Sequence, residues 1–519
     1  MKVYMPAGSI KKKIMIVGGG SAGWMSAATL IRFFPHYDIT LIESPKIPTV
    51  GVGESTLGQI RGWTGMLGIQ DNDFIPHTDA SIKLSIRFTD FYKKNQFFHF
   101  PFGRPFIDEN VSQTNDWWFK KISQPDTPLN DFADCIFPQM AFVNNNRITN
   151  RISSVPFKYH RDSAFHFDAT KFGLWLRDHY AIPKGVKHIK EEITTIEQNK
   201  EGIVSLNHKH KADLYIDCTG FRSLLLGGAL KEPFDSYTDM LPNNSAWATR
   251  VPYTDKKKQL VPYTNCTAIE NGWVWNIPLW SRIGTGYVYS DKFVSDEDAL
   301  KEFKNHLGRE DLEFKNIKMR VGLHRRLFVK NVCAIGLSAG FIEPLESNGL
   351  LSVHEFLWRL CRNLDRGEIS QWDKDNYNAT CKAFFHSFSQ FVAMHYALSH
   401  RQDTPYWKAN FNRVWSKELL DLKAYLHSGF TRFVFDREWE FTHPPTSGLT
   451  CISAGFNWGP TDLVSLMHEN LVSDPQLLYD SWKKPIERMN KRKELWNKAV
   501  LQYPTLYEYL KKIHGSESS

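Results

Sequence analysis

A run of glycines near the start of the chain has the spacing of a dinucleotide-binding turn. Gly18, Gly20 and Gly23 form GxGxxG, with Ser21 and Ala22 between the last two glycines. Gly18 permits a tight turn, Gly20 lets the backbone approach a diphosphate, and Gly23 lets the following helix pack closely on a strand. The first N–H groups of that helix would then face the phosphates. This spacing therefore predicts the binding of a dinucleotide cofactor.

The predicted local structure places this glycine run between two buried strands. The apolar run 12–17 predicts a strand, 23–34 predicts a helix and 38–43 predicts a second strand. Glu43 closes the second strand 20 residues after the last glycine of the motif, where an acidic side chain binds a ribose hydroxyl in dinucleotide domains. A GxGxxG run alone is a weak signal, but strand, helix, strand and acid in this order make the assignment specific.

Two later segments favour FAD over NAD as the dinucleotide. Residues 213–220 and 332–340 each read as an apolar strand that runs into small residues and glycine. Both segments resemble the later cofactor-contact segments of FAD-dependent monooxygenase folds, which a simple NAD domain does not need. Gly336 and Leu337, in the second segment, are therefore predicted to contact the cofactor. Taken singly, each segment would be interpreted as one more core strand.

The composition excludes several other classes of function. The chain has 519 residues and a net charge of +8, and its basic residues are interleaved with acids, which argues against nucleic-acid binding. The sequence lacks an apolar stretch near the 20 residues of a membrane span, so no membrane association is expected. The seven cysteines show no zinc-like spacing, so we expect free thiols, no metal site and a reducing, cytoplasmic location.

The rest of the chain divides into a sheet-rich part and a helical part. A hairpin is predicted within 186–206, and strands dominate 273–289. After Gly349, apolar residues recur at helical spacing. We therefore predict an α/β fold: an FAD-binding, Rossmann-like body of the aromatic hydroxylase or monooxygenase type with an inserted β-sheet, followed by a helical C-terminal module. The predicted bounds are 10–349 for the body, with inserted substrate-contacting segments at about 80–160, then 350–514 for the helical module and 515–519 for a tail.

Two rarer motifs follow in order along the chain. Residues 272–278 read GWVWNIP and contain WxWxIP, and residues 341–349 read FIEPLESNG and match FxxPxxSxG. On these motifs the chain resembles the flavin-dependent halogenases, typified by the tryptophan halogenases. Residues 50–56 are similar to the strap that closes over the flavin in that family, and residues 390–407 are similar to its helical module. The resemblance covers most of the chain and weakens after about residue 430.

The resemblance implies a cofactor, a halide and a role for the first motif. Reduced FAD, O2 and a halide ion (chloride, bromide or iodide) would generate hypohalous acid at the flavin. Trp273 and Trp275, with Pro278 completing the motif, would fill the space beside the flavin and keep the organic substrate away from it. Without the second motif, the two tryptophans would be interpreted as the core face of one strand. The strap residues that the resemblance assigns to the flavin are Gly51, Gly53, Glu54, Ser55 and Thr56.

The resemblance also assigns the residues that would use the oxidant. Lys83 matches the lysine that receives hypohalous acid, and its amine would either hydrogen-bond the acid or form a haloamine. Its apolar neighbours argue against a freely exposed segment. Glu346 matches the essential glutamate, which would polarise the oxidant or accept the proton lost from the ring, or would serve as a helix-start carboxylate. Ser347 would have a positioning role. Halide would bind near the backbone N–H groups of Asn348 and Gly349, although the family usually has Thr where this chain has Asn348.

The sequence defines the substrate only as a chemical class. In the run FHFPFG, Phe100 stands where tryptophan-specific members have a histidine, and Phe102 can stack on an aromatic ring. Pro344 of the second motif is assigned to the same pocket. A clear match to the acid that binds an amino-acid ammonium group is missing, and the nearby candidates are Glu438, Glu440 and Trp458. The expected substrate is therefore an electron-rich aromatic small molecule, such as an indole, a tryptophan-like compound or a phenol.

Two alternative functions share the predicted nucleotide fold. One is an FAD-dependent aromatic hydroxylase, which the tryptophan pair of the first motif argues against. The other is a flavin-binding protein without catalysis, which the intact Lys83 and Glu346 argue against. The chain shows no second nucleotide motif for NADH, and the resemblance implies a separate NAD(P)H-dependent flavin reductase as partner. A homo-oligomer is an expectation from the family alone.

Overall fold

A computed structural model describes residues 11–46, 54–106, 113–365, 367–428, 446–462 and 474–515. They form two compact units, each assembled from three separate stretches of chain. The first unit draws on 1–80, 167–244 and 318–386, and the second on 81–166, 245–317 and 387–519. The domain bounds predicted from the sequence stay a prediction.

Strands and helices occur in both units. The strands are, in chain order, β1 Lys13–Val17, β2 Asp38–Glu43, β3 Glu54–Ser55, β4 Ser81–Lys83, β5 Ser85–Thr89, β6 Phe97–Pro101, β7 Ala164–Phe167, β8 Lys187–Lys190, β9 Ile196–Asn199, β10 Gly202–Leu206, β11 Leu214–Asp217, β12 Phe234–Ser236, β13 Ser245–Val251, β14 Tyr263–Ala268, β15 Gly272–Pro278, β16 Ile283–Tyr289, β17 Lys315–Lys318, β18 Gly322–His324, β19 Phe328–Val329, β20 Val332–Ala334 and β21 Gly340–Phe341. The α-helices are α1 Ser21–Phe33, α2 Ile60–Leu67, α3 Asp71–Phe74, α4 Gln113–Ser123, α5 Asp131–Ile136, α6 Gln139–Asn144, α7 Ala169–Trp175, α8 Lys256–Gln259, α9 Asp296–Leu307, α10 Gly349–Leu364, α11 Gln371–Ala397, α12 Pro405–Phe411, α13 Lys417–Ser428, α14 Thr446–Gly455, α15 Pro475–Val500 and α16 Leu506–His514.

The first unit is built around a six-stranded sheet in the order β19-β20-β11-β1-β2-β8. The strands from β20 to β8 are parallel to their neighbours, and β19 is antiparallel to β20. Residues 14–17 of β1 are all buried, because a central strand of a parallel sheet is covered on both faces. α1 packs against α7 and α10. The carboxyl ends of β1, β2 and β11 therefore meet beside the glycine run that follows β1.

The second unit contains a seven-stranded sheet in the order β17-β13-β16-β15-β14-β5-β6. From β13 to β6 the neighbouring strands are antiparallel, except that β14 and β5 are parallel. A separate short ladder pairs β4 with β7 in antiparallel register. The long helix α15 packs on α4, α5 and α6. β15, which carries the WxWxIP motif, therefore lies in the interior of a sheet rather than at its edge.

Several elements form where the sequence predicts them. β2 has the predicted bounds, β1 begins one residue later and α1 begins two residues earlier than predicted. The hairpin forms between β9 and β10, and helices dominate after Gly349. The sequence did not predict that Leu176–Ala181 and Leu224–Ala229 are π-helical. All seven cysteines are buried and free of disulfide bonds, as expected. Within the described residues, none of the helices combines the length and the apolar character needed to cross a bilayer.

Candidate active site

The glycine run forms a tight turn between β1 and α1. Gly18 has φ +112°, and a Cβ there would lie 2.3 Å from the carbonyl oxygen of Cys218 at the end of β11. A Cβ on Gly23 would lie 1.9 Å from the carbonyl oxygen of Gly18. Gly20 is the N-cap residue of α1 and provides no side chain to cap it, so the first N–H groups of α1 are left for another acceptor. A dinucleotide diphosphate is an acceptor that fits this turn.

Glu43 lies beside the same turn, at the end of β2. Its Oε1 accepts a hydrogen bond from Nε2 of His188 at 2.7 Å. A Cβ on Gly19 would lie 1.6 Å from Oε2 of Glu43, so the carboxylate directly abuts the turn. This position fits the predicted contact with a ribose hydroxyl, and that contact stays a prediction.

The segment after β20 reaches the same end of the sheet. Gly336 has φ +75°, and a Cβ there would lie 2.8 Å from Cβ of Ala22 in α1. Leu337 occupies the short 3-10 turn Gly336–Ser338. The strand before it, β20, pairs with β11, whose Asp217 accepts hydrogen bonds from the backbone N–H groups of residues 225 and 226. Both segments predicted to distinguish FAD from NAD therefore lie next to the glycine turn.

The FxxPxxSxG motif forms a compact connection to α10. Pro344 begins the 3-10 turn Pro344–Glu346, and the next residue, Ser347, has a φ of +58° that redirects the chain before the helix. Glu346 has no exposed surface. The Ser347 hydroxyl donates to the hydroxyl of Ser55 at 3.0 Å, which joins this motif to the strap. Asn348 is the N-cap residue of α10, but its Nδ2 donates to the carbonyl oxygen of residue 343 at 3.3 Å instead of capping the helix.

The WxWxIP motif occupies β15 in the second unit. Trp273 and Trp275 lie two residues apart and therefore on one face of the strand. Their ring centroids are 6.1 Å apart, and both indoles are buried. Gly286 is the partner of Trp275 on β16, and a Cβ on it would lie 2.2 Å from the Trp275 ring. The absence of a side chain at Gly286 thus makes room for the second indole.

Lys83 ends the three-residue strand β4 and has no exposed surface. The expectation that it is not freely exposed is confirmed. Its Nζ lies 4.8 Å from the centroid of the Phe102 ring. The Phe100 ring meets the Phe102 ring edge to face at 6.1 Å. A buried ammonium group beside an aromatic ring is unusual, because burial of a lysine costs free energy unless other contacts offset it.

A chain of polar groups surrounds the strand of Lys83. The Ser81 hydroxyl donates to the carbonyl oxygen of Pro278 at 2.5 Å and lies 3.2 Å from Nδ1 of His166. Nε2 of His166 lies 2.9 Å from the hydroxyl of Thr264. Burial, and then the nearby charge of Lys83, hold the pKa of His166 well below its usual value, so this ring is neutral. These residues connect β4, β7, β14 and the end of the WxWxIP strand.

Sequence and structure relate the chain to one family of enzymes. A sequence model of the tryptophan halogenase family matches residues 13–463. The chain is 34% identical to tryptophan 6-halogenase SttH of Streptomyces toxytricini over 431 residues, which cover 78% of this chain and 81% of that protein. The chain belongs to the tryptophan halogenase family. It is also 30% identical to tryptophan 6-halogenase ThaL of Streptomyces albogriseolus, over 97% of this chain and 99% of that protein.

Solved structures agree with this assignment. The apo structure of VirX1 matches this halogenase with a TM-score of 0.88 and 37% identity, covering 97% of this chain and 99% of that one. Tar14, a tryptophan C-6 flavin-dependent halogenase from taromycin biosynthesis, matches with a TM-score of 0.85 and 30% identity, over 97% and 100% of the two chains. The predicted fold class, an FAD-binding Rossmann-like body with a helical C-terminal region, is thereby confirmed.

Family membership also confirms that this halogenase is an FADH2-dependent enzyme. The family uses FAD and halide, acts on aromatic substrates and typically relies on a separate flavin reductase. These coarse statements apply to this chain. The individual roles that the sequence assigned to Lys83, Glu346 and the other site residues remain predictions.

The structure describes only part of the predicted strap and substrate residues. Gly51 and Gly53 of the strap, and the substrate candidates Glu438 and Glu440, lie outside the described residues. Glu54 is described as part of β3 but its side chain is not. Trp458 is described, and its indole N–H donates to the carbonyl oxygen of Lys423 at 2.7 Å. That bond occupies the polar atom with which Trp458 would contact a substrate.

The sequence did not single out Ser81, His166 or Thr264. A signal was present at His166, which stands between Phe165 and Phe167 in a short run typical of a buried strand. A polar side chain inside such a run must find hydrogen-bond partners, because an unpaired buried polar group costs free energy. The identity of those partners depends on strand pairing, which the run itself does not specify.

Proposed function

We propose that this halogenase attaches a halogen to an electron-rich aromatic small molecule, with Lys83 delivering the electrophilic halogen and Glu346 assisting the substitution. The observation that carries the proposal is the complete burial of Lys83 with its ammonium group beside the Phe102 ring. The family membership supports the reaction class. The buried position of Glu346 in the second motif supports a carboxylate kept away from bulk water.

The residues that would hold FAD are those of the glycine turn, Glu43, and the segment at Gly336. The fit is good because the first backbone N–H groups of α1 have no side-chain cap, and a helix N-terminus of this kind binds a diphosphate. Bound in its reduced form, FAD supplies, with O2 and halide, the hypohalous acid that the chain then uses. Trp273 and Trp275 would exclude the arene from the space that they fill. The N–H groups of Asn348 and Gly349 would hold the halide at the start of α10.

Lys83 and Glu346 would divide the remaining chemistry. The Nζ of Lys83 would either donate a hydrogen bond to hypohalous acid, leaving the halogen directed at the ring, or carry the halogen as a haloamine. In the first case the oxygen–halogen bond breaks and water leaves, and in the second the nitrogen–halogen bond breaks and the free amine is restored. In both cases the arene gains a carbon–halogen bond and loses a proton. The carboxylate of Glu346 would polarise the acid or accept that proton. Ser347 would keep the motif in place through its bond to Ser55.

The aromatic wall near Lys83 favours a flat, apolar substrate. Phe100 and Phe102 are both buried, and Phe100 also packs against Phe391 with centroids 6.1 Å apart. Offset or edge contacts with such rings stabilise an arene by about 0.5–1.5 kcal/mol beyond simple burial. The relatives named above include tryptophan 6-halogenases. We propose an indole, a tryptophan-like compound or a phenol as substrate, with no preference for the free amino acid.

The proposal is tested by incubating the purified protein with FAD, a flavin reductase, NADH, O2 and indole. Chloride, bromide and iodide are supplied in parallel, with catalase to remove free peroxide, and products are identified by mass spectrometry. A halide-dependent, mono-halogenated product supports the proposal and ranks the halides. A hydroxylated product that forms without halide would replace it with the aromatic hydroxylase function. If indole gives no product, a phenol and tryptophan series follows, and failure of all three classes rejects the proposed substrate.

Two substitutions assign the roles. Lys83→Ala should lower the rate of arene halogenation by about 100-fold or more, because it removes the group that directs the halogen. Lys94→Ala is the matched control, since Lys94 is mostly exposed and pairs with Asp403 in the same unit.

Glu346→Gln should slow halogenation by about 100-fold at constant melting temperature. Glu355→Gln is its control on α10. If Glu346→Gln lowers only the melting temperature, its carboxylate is a helix-start group.

A further inference from the structure

The pairing of β4 with β7 places the polar side chains around Lys83 on one face of a two-stranded ladder. β4 pairs with β7 so that Ser81 faces His166 and Lys83 faces Ala164. Alternate residues of a strand share a face, and directly paired residues share it too, so Ser81, Lys83 and His166 lie on one face of this ladder. Ala164 is the small residue opposite Lys83. The lysine side chain therefore extends beside the histidine ring and not against a bulky cross-strand neighbour.

The hydrogen bonds of the chain define the tautomer of His166. The Ser81 hydroxyl has one proton, and this proton goes to the carbonyl oxygen of Pro278. The Ser81 oxygen can then only accept from Nδ1 of His166, so Nδ1 carries the ring proton. An interaction of the ring with the Pro278 backbone acts to raise the pKa of His166, against the larger effect of burial. Nε2 is consequently the acceptor for the hydroxyl of Thr264.

The charge state of the ring matters because of its neighbour. His166 and Lys83 are both buried, and a second positive charge at this place would repel the ammonium group of Lys83. The groups that face the ring are the Ser81 hydroxyl on β4, the Thr264 hydroxyl on β14 and the Pro278 carbonyl on β15, with Lys83 as the nearby cation. The hydrogen bond that Nε2 accepts from the Thr264 hydroxyl requires a neutral ring, because a charged ring carries a proton on both nitrogens. The ring can thus connect three strands without adding charge beside Lys83.

We infer that His166, as the neutral Nδ1–H tautomer, is a positioning residue that fixes the strand of Lys83 to the end of the WxWxIP strand through Ser81 and the Pro278 carbonyl. The inference rests on the proposed role of Lys83. Pro278 ends the strand that carries both motif tryptophans, and Lys83 lies two residues from Ser81. One side chain therefore sets the lysine relative to the strand of the tryptophan pair. Loss of this connection displaces the amine from the halogen that it must direct.

The activity test measures where the oxidant goes. A small β-diketone trap reports free hypohalous acid, and mass spectrometry reports the halogenated arene from the same reaction. His166→Leu should lower the ratio of arene product to trapped oxidant by about tenfold, because an error of an ångström in placement is costly. The consumption of NADH and the affinity for FAD should not change. His166→Asn returns an N–H donor near the position of Nδ1 and should recover part of the ratio.

The controls separate this inference from the proposed function. If Lys83→Ala retains full arene halogenation, the proposed role of Lys83 fails. If Lys83→Ala is inactive while His166→Leu keeps the wild-type ratio, the positioning role fails and the function of Lys83 stands. His166→Leu in the Lys83→Ala background should cause no further change in the ratio. If His166→Leu does not fold, Ser81→Ala interrupts the same chain at its other member and should lower the ratio in the same direction.

A second readout does not depend on turnover. Nitrogen-15 NMR of protein labelled in histidine distinguishes the two neutral tautomers from the charged ring. The His166 signal should report a neutral ring with the proton on Nδ1 at pH 6 in the wild-type protein. A charged ring at pH 6, or a proton on Nε2, overturns the inference whatever the activity data show. Thr264→Val, which removes the donor to Nε2, should shift the Nε2 signal and leave the proton on Nδ1.

Discussion

The glycine turn of the first unit and the Lys83 strand of the second unit are built on different principles. The turn is made of the backbone of six consecutive residues. It requires glycine at two positions, because a Cβ on Gly18 or Gly23 would collide with a carbonyl oxygen. The environment of Lys83 is made of side chains, with Ser81, His166 and Thr264 on three strands. Steric limits govern the first region, whereas the second depends on satisfied hydrogen bonds.

This difference determines how each region responds to substitution. At Gly18 and Gly23 any side chain is harmful whatever its chemistry, because the space is already filled by backbone atoms. Around Lys83 a substitution of similar size is tolerated sterically but leaves a buried donor or acceptor without its partner, which costs about 1–3 kcal/mol. The predictions below test that contrast.

The largest effect is expected at Gly18. Gly18→Ala should destabilise the protein by about 3 kcal/mol or more, because φ +112° is unfavourable for alanine and the new Cβ would meet the Cys218 carbonyl at 2.3 Å. FAD affinity should fall with it, as measured by flavin fluorescence alongside urea unfolding. Gly65→Ala is the control, because a Cβ there meets no atom within 4 Å and α2 should gain about 0.5–1 kcal/mol. If Gly18→Ala and Gly65→Ala changed the stability equally, a steric requirement for glycine in the turn would be wrong.

Gly286 tests whether steric limits also operate in the second unit. Gly286→Ala should cost about 1–3 kcal/mol, since its Cβ would lie 2.2 Å from the Trp275 ring and 2.7 Å from the carbonyl oxygen of Trp247. Adding Trp275→Phe should recover part of the loss, because the smaller ring leaves room for the methyl group. Thermal unfolding of the two single variants and the double variant gives the coupling. If the stability changes of the two single variants simply add in the double variant, the indole of Trp275 is not the group that clashes with the new methyl group.

The two regions also differ in how far the sequence predicts them. The turn was predicted residue by residue, because GxGxxG and its flanking strands lie within one continuous segment whose periodicity is local. The apolar neighbours of Lys83 indicate only that it is not freely exposed, and its role is implied by the family resemblance. Its hydrogen-bonded surroundings are not predictable in this way, because the bond from Ser81 to Pro278 spans 197 positions of sequence. Such partners follow from strand register, which is set by non-local pairing.

The stability of the folded protein should be most sensitive to acid where a histidine is buried in its neutral form. Burial, and then the charge of Arg87, lower the pKa of His99 to about 3, and its Nδ1 bonds to the hydroxyl of Ser85 at 2.9 Å. A histidine with a lowered pKa in the folded state binds its proton preferentially in the unfolded state. The neutral His99 ring therefore contributes fully to the free energy of unfolding above about pH 6.5, and this contribution is lost as the pH falls toward 3. At pH 5 the loss is about 2 kcal/mol.

The measurement is the free energy of unfolding in urea at pH 7.5 and at pH 5. His99→Gln should make the difference between the two pH values smaller by about 2 kcal/mol, even if the variant is less stable at both. His208→Gln serves as the control, because His208 is mostly exposed on the first unit. An unchanged pH dependence in the His99 variant would mean that this ring is charged in the folded protein.

The smallest effect is expected at the edge of the side-chain region, where contacts are partly exposed. Lys256 lies with Nζ 3.4 Å from the centroid of the Trp280 ring, two residues beyond the WxWxIP motif, and the same ring stacks on His514 at 4.7 Å. Lys256→Met keeps most of the apolar stem and removes the charge, so it should cost about 0.5–1 kcal/mol. Lys258→Met, from a mostly exposed lysine in the same short helix, should cost less than that. Neither change should alter the ratio of arene product to trapped oxidant, because the polar chain through His166 does not include these residues. A lowered ratio in the Lys256 variant would extend the side-chain network beyond Pro278 to this surface stack.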